Sequence, residues 1–277
     1  MGLLVGLGPA YAGGGNGGNT GGGEGGAPLA VYSMGSGLAN AASGSIEIQY
    51  GTSLKRLFQS NKTLIKVGLF DTSKVTDFSE MFDTCSTLSE IPAFDYSQAD
   101  TLDGFADNAA KLAIVPPMYL PKCRILTYAF NLCGSIVSLE IAAPNVTTLF
   151  GTFWRCRAMK SIKISFGQGI TAMRNAFSTC QVLKTIDGVL DIPNCNDMDG
   201  TFDACAALEN VKIKNLATSV SFEACPVLSK SDVLYMFENA KTVEASETIT
   251  LHADVFGQLS AEEIAVATGK GFSVVSA

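Results

Sequence analysis

The 277-residue chain has one histidine, one tryptophan and no Cys-x-x-Cys pair. The lone histidine, His252, has no serine or cysteine motif arranged around it, which leaves little for nucleophilic or triad-type catalysis. Charged residues make up only 16% of the chain, and the balance is acidic, with a formal net charge of −7. No Lys/Arg cluster interleaved with aromatics stands out, so nucleic acid is not an expected partner. No apolar run approaches the ~18 residues of a membrane helix, and no membrane span is expected. The cysteine spacing matches no common zinc motif, and no cofactor is expected.

What the chain has is glycine, apolar residues and a period. Ten of the fourteen residues from Gly13 to Gly26 are glycine, a composition that buries nothing and loses most entropy on ordering. Residues 13–28 therefore read as a tether. It follows an apolar segment, 1–12, whose Leu3, Leu4, Val5, Leu7 and Tyr11 are candidate anchor residues. That segment lacks the basic start and the length of a signal peptide. Residues 29–56 read as an N-terminal cap region with a strand over Ser45–Tyr50, where apolar and polar residues alternate.

From 57 to 228 one motif recurs about eight times: Phe, then Cys or Asn three residues on, then a large apolar residue and another three positions later. It reads Phe82-Cys85-Leu88-Ile91, Phe130-Cys133-Ile136-Leu139, Phe153-Cys156-Met159-Ile162 and Phe177-Cys180-Leu183-Ile186. Phe58 with Asn61 opens the series, and Phe202 and Phe222 continue it. The copy Phe105-Asn108-Leu112-Val115 reads with one inserted residue. Apolar residues also fall seven and four places before most of the phenylalanines, but not before Phe105 or Phe222, so those two units are expected to be looser.

A single unit of this length cannot bury its apolar side. Stacked units line up identical positions into continuous buried ladders. The expectation is an α/β repeat solenoid with one parallel sheet, formed where apolar residues alternate as in Ile162-Lys163-Ile164. Pro92 and Pro116 remove ladder donors and predict very short strands in the first half. Residues 229–277 read as an α+β capping unit. It should hold a helix over 231–240, a strand over 248–251, a helix opened by the capping box Ser260-x-x-Glu263, and a last strand over 272–275.

The cysteines follow the same period. Cys85, Cys133, Cys156, Cys180, Cys205 and Cys225 occupy one column, and Cys123 and Cys195 replace Val or Ile in another, so all eight are expected as buried free thiols. Asp197-x-Asp199-Gly200 has the form of a calcium loop, but Cys195 and Ala206 stand where carboxylates are needed, so no metal is expected there. The residues between the strand apolars give a candidate binding strip. Glu140, Lys163, Asp187 and Lys212 alternate in sign, with Ser138, Ser161, Asn210 and Lys214 beside them. The simpler reading of the alternation is a ladder that avoids like-charge repulsion.

The run Asp71-Thr72-Ser73-Lys74-Val75-Thr76-Asp77-Phe78-Ser79-Glu80-Met81-Phe82-Asp83-Thr84-Cys85-Ser86-Thr87-Leu88 resembles the repeat of the bacterial-surface-protein-A-like leucine-rich-repeat family. The resemblance covers about two thirds of the chain. It implies a right-handed, leucine-rich-repeat-like solenoid for adhesion and recognition, as in phage tail-fibre or other virion proteins and bacterial surface adhesins. It implies no catalytic residues. The expectation is a non-catalytic virion protein, joined to other virion proteins through its N-terminus, which binds a host-surface glycan or protein. A homo-oligomer would suit such a role. A bacterial cell-surface adhesin is the alternative, and a polysaccharide-degrading tail enzyme a more distant one.

Overall fold

The structure, a computed structural model, describes residues 32–34, 52–69, 71–244 and 247–277. The expected anchor residues, the tether and the strand over Ser45–Tyr50 lie outside the described residues, as does most of the expected cap region.

The elements are β1 (Tyr32–Met34), β2 (Leu64–Val67), β3 (Met118–Tyr119), β4 (Ser138–Ala143), β5 (Ser161–Phe166), β6 (Thr185–Asp191), β7 (Asn210–Lys214), β8 (Val220–Phe222), α1 (Lys230–Asn239), β9 (Glu247–Leu251), α2 (Ala253–Phe256), α3 (Ala261–Thr268) and β10 (Phe272–Ser276). Among the described residues this is mostly parallel sheet with a few short helices, an α/β arrangement. The expectation of one sheet is corrected. A five-stranded parallel sheet, β3-β4-β5-β6-β7, is followed by a three-stranded parallel sheet, β10-β9-β8, while β1 and β2 pair antiparallel. The last Phe of the series, Phe222, lies in β8 and so belongs to the second sheet. As Pro92 and Pro116 predict, the repeats that carry them pair on the strand side through the isolated bridges Lys66↔Glu90 and Glu90↔Ile114 and the two-residue β3.

Each repeat is tied to the next by backbone. On the Phe side, alternate N–H groups of a run of tight turns reach forward. Phe78, Glu80, Phe82 and Thr84 donate to the carbonyls of Thr101, Asp103, Phe105 and Asp107 at 2.7–3.1 Å. On the strand side the direction reverses, with Ser89 donating to Ile65, Ala113 to Ser89 and Lys184 to Lys160, each at 2.9 Å. The forward-reaching geometry needs two left-handed residues per repeat. One column runs Arg56, Glu80, Gly104, Tyr128, Gly151, Asn175 and Gly200, the other Ser60, Thr84, Asn108, Leu132, Arg155, Thr179 and Ala204, all with φ between +52° and +63°. Each non-glycine there costs roughly 1–2 kcal/mol, offset by the inter-repeat hydrogen bonds it permits. At Gly151 a Cβ would lie 2.5 Å from the Tyr128 ring, so any other residue there would have to push that ring aside.

Behind this backbone runs the core. Phe130, Phe153, Phe177, Phe202 and Phe222 stack in order with ring centroids 4.8–6.1 Å apart and planes within 19° of parallel. Beside them the six column cysteines are buried, and each thiol donates to a carbonyl of the preceding repeat. Examples are Cys156 Sγ to Phe130 O and Cys180 Sγ to Phe153 O, both at 3.1 Å. All eight cysteines are free and buried. Burial pushes their pKa values up, Cys85 and Cys205 to about 12 and Cys123 to about 11.

The reading of an inserted residue after Phe105 is corrected. The thiol of Cys133 donates to Ala106 O at 3.1 Å, where Cys156 uses Phe130 O, so Ala106 holds the Phe position and Phe105 sits one place early. In that register Ala109 fills the Cys column, and the upstream positions are Ala99 and Leu102, both fully buried. The unit is therefore not loose. Phe105 packs beside Ala106, edge-on to Phe82 at 5.3 Å and to Phe130 at 6.0 Å, with Tyr96 against it at 6.2 Å and Phe94 against Tyr96 and Phe82.

At the other end, α1 closes the first sheet. Its N-cap is Ser229, and the buried Asp232 accepts a 3.0 Å hydrogen bond from Val211 N, standing in for the carbonyl of a further strand. The capping box expected at Ser260 and Glu263 is complete and opens α3. The short helix α2 was not foreseen; His252 caps it, with Nδ1 accepting from Asp254 N at 3.1 Å.

Candidate functional site

Strand geometry sorts the residues of the five-stranded sheet. Side chains alternate, so Leu139, Ile141, Ile162, Ile164, Ile186, Val211 and Ile213 point into the core and their neighbours point out. Parallel pairing then aligns the outward residues into rows. Ser138, Ser161, Thr185 and Asn210 form one row across β4, β5, β6 and β7, and Glu140, Lys163 and Asp187 form a second. A third holds Tyr119, Ala142 and Ser165. A groove of about 600 Å³ opens over the first two rows, walled on the β3 side by Val115 and Pro117. Close to it the face carries exposed apolar side chains, Ile114 at 58% exposure and Tyr119 at 65%.

The charges in the groove are ordered. Lys163 Nζ donates to Glu140 Oε1 at 2.8 Å, and this bond, reinforced by the charges of Glu140 and then Asp187, raises the lysine pKa. The Asp187 carboxylate makes no hydrogen bond or ion pair among the described residues, although its backbone pairs with Lys163. It sits on a bulge: the register passes from Ile186↔Val211 to Val189↔Lys212, leaving Asp187 and Gly188 without partners on β7. Only glycine fits position 188, where φ is +125° and a Cβ would lie 2.4 Å from Ile164 O.

Of the expected strip, Ser138, Glu140, Ser161, Lys163 and Asp187 line the groove together, and Asn210 prolongs the first row. Lys212 and Lys214 are elsewhere. The bulge puts Val189 opposite Lys212, whose ammonium lies 5.8 Å from the Tyr235 ring on α1, and Lys214 lies 4.0 Å from Asp191. The four-charge alternation is thus corrected to three. Thr185, Pro117 and Tyr119 went unnoticed in the sequence, and Val115 was read there only as a repeat-column residue. Thr185 had a signal, since it falls in the column of Ser138 and Ser161.

Chemically the groove offers hydroxyls, an amide, an ion pair and one unpaired carboxylate. Neither Ser138 Oγ nor Ser161 Oγ is hydrogen bonded to a carboxylate or to the histidine among the described residues. Asp197 and Asp199, the start of the calcium-like loop, instead bind the Arg174 guanidinium at 3.1 and 2.8 Å. No group of three or more His, Cys, Asp or Glu that could hold a metal occurs among the described residues. No helix among them is long and apolar enough to cross a membrane. Besides Lys212 and Tyr235, basic and aromatic residues meet where the Arg155 guanidinium lies 4.6 Å over the Trp154 ring, a contact the sequence reading missed.

The family model that matches is described as "Mycoplasma protein of unknown function, DUF285", and it covers residues 52–114 and 144–250, more than half of the chain. No curated protein and no solved structure matches. This corrects the resemblance read from Asp71–Leu88: the family that matches is one of unknown function, not a leucine-rich-repeat family of phage tail fibres or adhesins, and its description carries nothing on a phage or adhesin setting. The reason is physical. Phe82, Cys85 and Leu88 are core-column positions, so they report how repeats stack and not which family the stack belongs to.

Proposed function

Since the chain belongs to the DUF285 family, whose description assigns no activity, we propose from the geometry that it is a non-catalytic recognition protein binding its partner on the outward face of β3–β7. The proposal includes the architecture behind that face, a right-handed, leucine-rich-repeat-like solenoid. Support for the solenoid comes from backbone pairing at a near-constant interval of 23 to 24 residues from Ser53↔Asp77 to Thr148↔Ala172. Support for its hand comes from the strong preference of parallel crossovers for right-handed connection. The observation that carries the binding role is the groove itself. Stacking requires the buried columns, but it requires neither an unpaired Asp187 re-aimed by a glycine bulge nor an exposed Tyr119 beside a polar trough. The partner class is a surface glycan or protein, and several copies held together would strengthen weak single contacts.

The test is binding of the full chain to a glycan panel and to surface-protein extracts, compared with Lys163→Glu and with Lys111→Glu, an exposed lysine away from the groove. Loss of binding with the first variant alone is expected. Equal binding by both would remove the sheet face from consideration. The setting is read separately, by mass spectrometry of purified virions against surface-labelled cells.

A further inference from the structure

We propose that the groove takes a linear polysaccharide laid across the strands, about one sugar unit per strand from β4 to β7, with Asp187 as its specificity-determining carboxylate. This rests on the reading of the sheet face as the binding surface, and it names the ligand class and its direction.

The first support is the period of the row. Ser138, Ser161, Thr185 and Asn210 are paired in register, so four neutral hydrogen-bonding side chains follow one another at the strand spacing of roughly 4.8 Å. A ligand that uses all four must repeat at that interval along the sheet. An extended peptide advances about 3.3 Å per residue and falls out of step. A pyranose linked through opposite ring carbons advances its chain by close to one strand spacing and carries hydroxyls at each step.

The second support is charge. A polynucleotide would meet Glu140 and Asp187 on a chain of net charge −7. A neutral sugar instead supplies donors, and an unpaired carboxylate accepts two hydroxyls at once. Asp187 is free for this because Lys163 is hydrogen bonded to Glu140, and the bulge at Gly188 leaves it without a partner on β7. The third support is shape. Val115 and Pro117 form an apolar wall at one end, and Tyr119 stands exposed nearby, so the apolar face of a sugar ring has somewhere to rest.

The experiment uses the full chain on an array of neutral and acetamido-bearing oligosaccharides, α- and β-linked, from one to eight units, followed by calorimetry of the bound series. Affinity is expected to rise about ten-fold or more from one unit to four and then level off, as each unit adds a hydrogen bond until the strands run out. Asp187→Asn should weaken the four-unit ligand about ten-fold, and Thr185→Val or Ser161→Ala about three-fold each, with unchanged melting curves. A bound sugar whose affinity does not depend on length overturns the proposal. So does the absence of any bound series from an array that the folded chain has been shown to contact. Binding of a protein instead, abolished by Lys163→Glu, overturns the sugar and leaves the binding face standing. Sugar binding indifferent to all of these variants overturns the face as well.

Discussion

Replacing Asp107 by asparagine should stabilise the fold above neutral pH and change nothing in acid. Asp107 lies in the turn segment of the third repeat, and its Oδ1 accepts from Asn131 Nδ2 of the next repeat at 2.9 Å. Burial raises its pKa from 3.8 to about 6; the Asn131 bond opposes the rise, and the neighbouring charge of Asp83 adds to it. A carboxyl whose pKa is higher in the folded than in the unfolded chain favours folding when protonated. Its contribution is therefore complete below the unfolded value of 3.8 and is lost as the pH climbs through about 6. The full difference corresponds to about 3 kcal/mol, and the group's partial contact with solvent reduces it to about 1–2 kcal/mol. Asparagine keeps the acceptor for Asn131 and cannot ionise. Urea denaturation of both chains should give a variant about 1–2 kcal/mol more stable near pH 8, with the gap closing by about pH 4. Asp103 and Asp232, also raised by burial, titrate in both chains and cancel in the difference. A gap that is constant with pH, or a less stable variant at pH 8, would refute the reasoning.

Three further outcomes follow from the core and its closure. Phe153→Ala removes a fully buried ring stacked between Phe130 and Phe177, so denaturation should show a loss of about 3–5 kcal/mol, and a loss under about 1 would mean the ladder does not pack as described. The folded chain should be inert to a thiol reagent over the time that its unfolded form reveals all eight cysteines, because the pKa values raised by burial leave almost no thiolate at neutral pH; rapid labelling of the native chain contradicts this. Asp232→Leu strands the Val211 N–H at the edge of β7, costing about 1–3 kcal/mol, and hydrogen exchange at Val211 should accelerate more than at Ile162, two strands away.

The core was legible in the sequence because a stacked repeat must restate its buried positions, and Phe153, Cys156 and Met159 are restated by Phe177, Cys180 and Leu183. Legibility failed where residue type and backbone register part company. Phe105 is a phenylalanine one place early, and reading by type forced an insertion that the even spacing of Leu88, Leu112 and Ile136 already argued against. The left-handed columns left only a broken trace, in Gly104, Gly151, Gly200, Asn108 and Asn175, because Arg56, Tyr128, Leu132 and Arg155 at the equivalent places are not residues that announce a positive φ. Their conformation is imposed by the ladder between repeats, a tertiary effect with no local signature.

The site shows the same division from the other side. Glu140, Lys163, Ser138 and Ser161 were visible because they keep the period, and Lys212 was misplaced because Asp187-Gly188 adds two residues that the period does not count. Glycine inside a strand was the available signal for that break. Position for position, the features that stacking does not explain are the departures from the repeat: the Pro116-Pro117 step, exposed Tyr119 and the Gly188 bulge. Two of the three fall in 115–143, the stretch between the two segments that the family model matches. A stack that only needed to be stable would have no use for them, and all three border one groove. Exchanging Pro117 and Tyr119 for other exposed residues should therefore change what is bound before it changes the melting point.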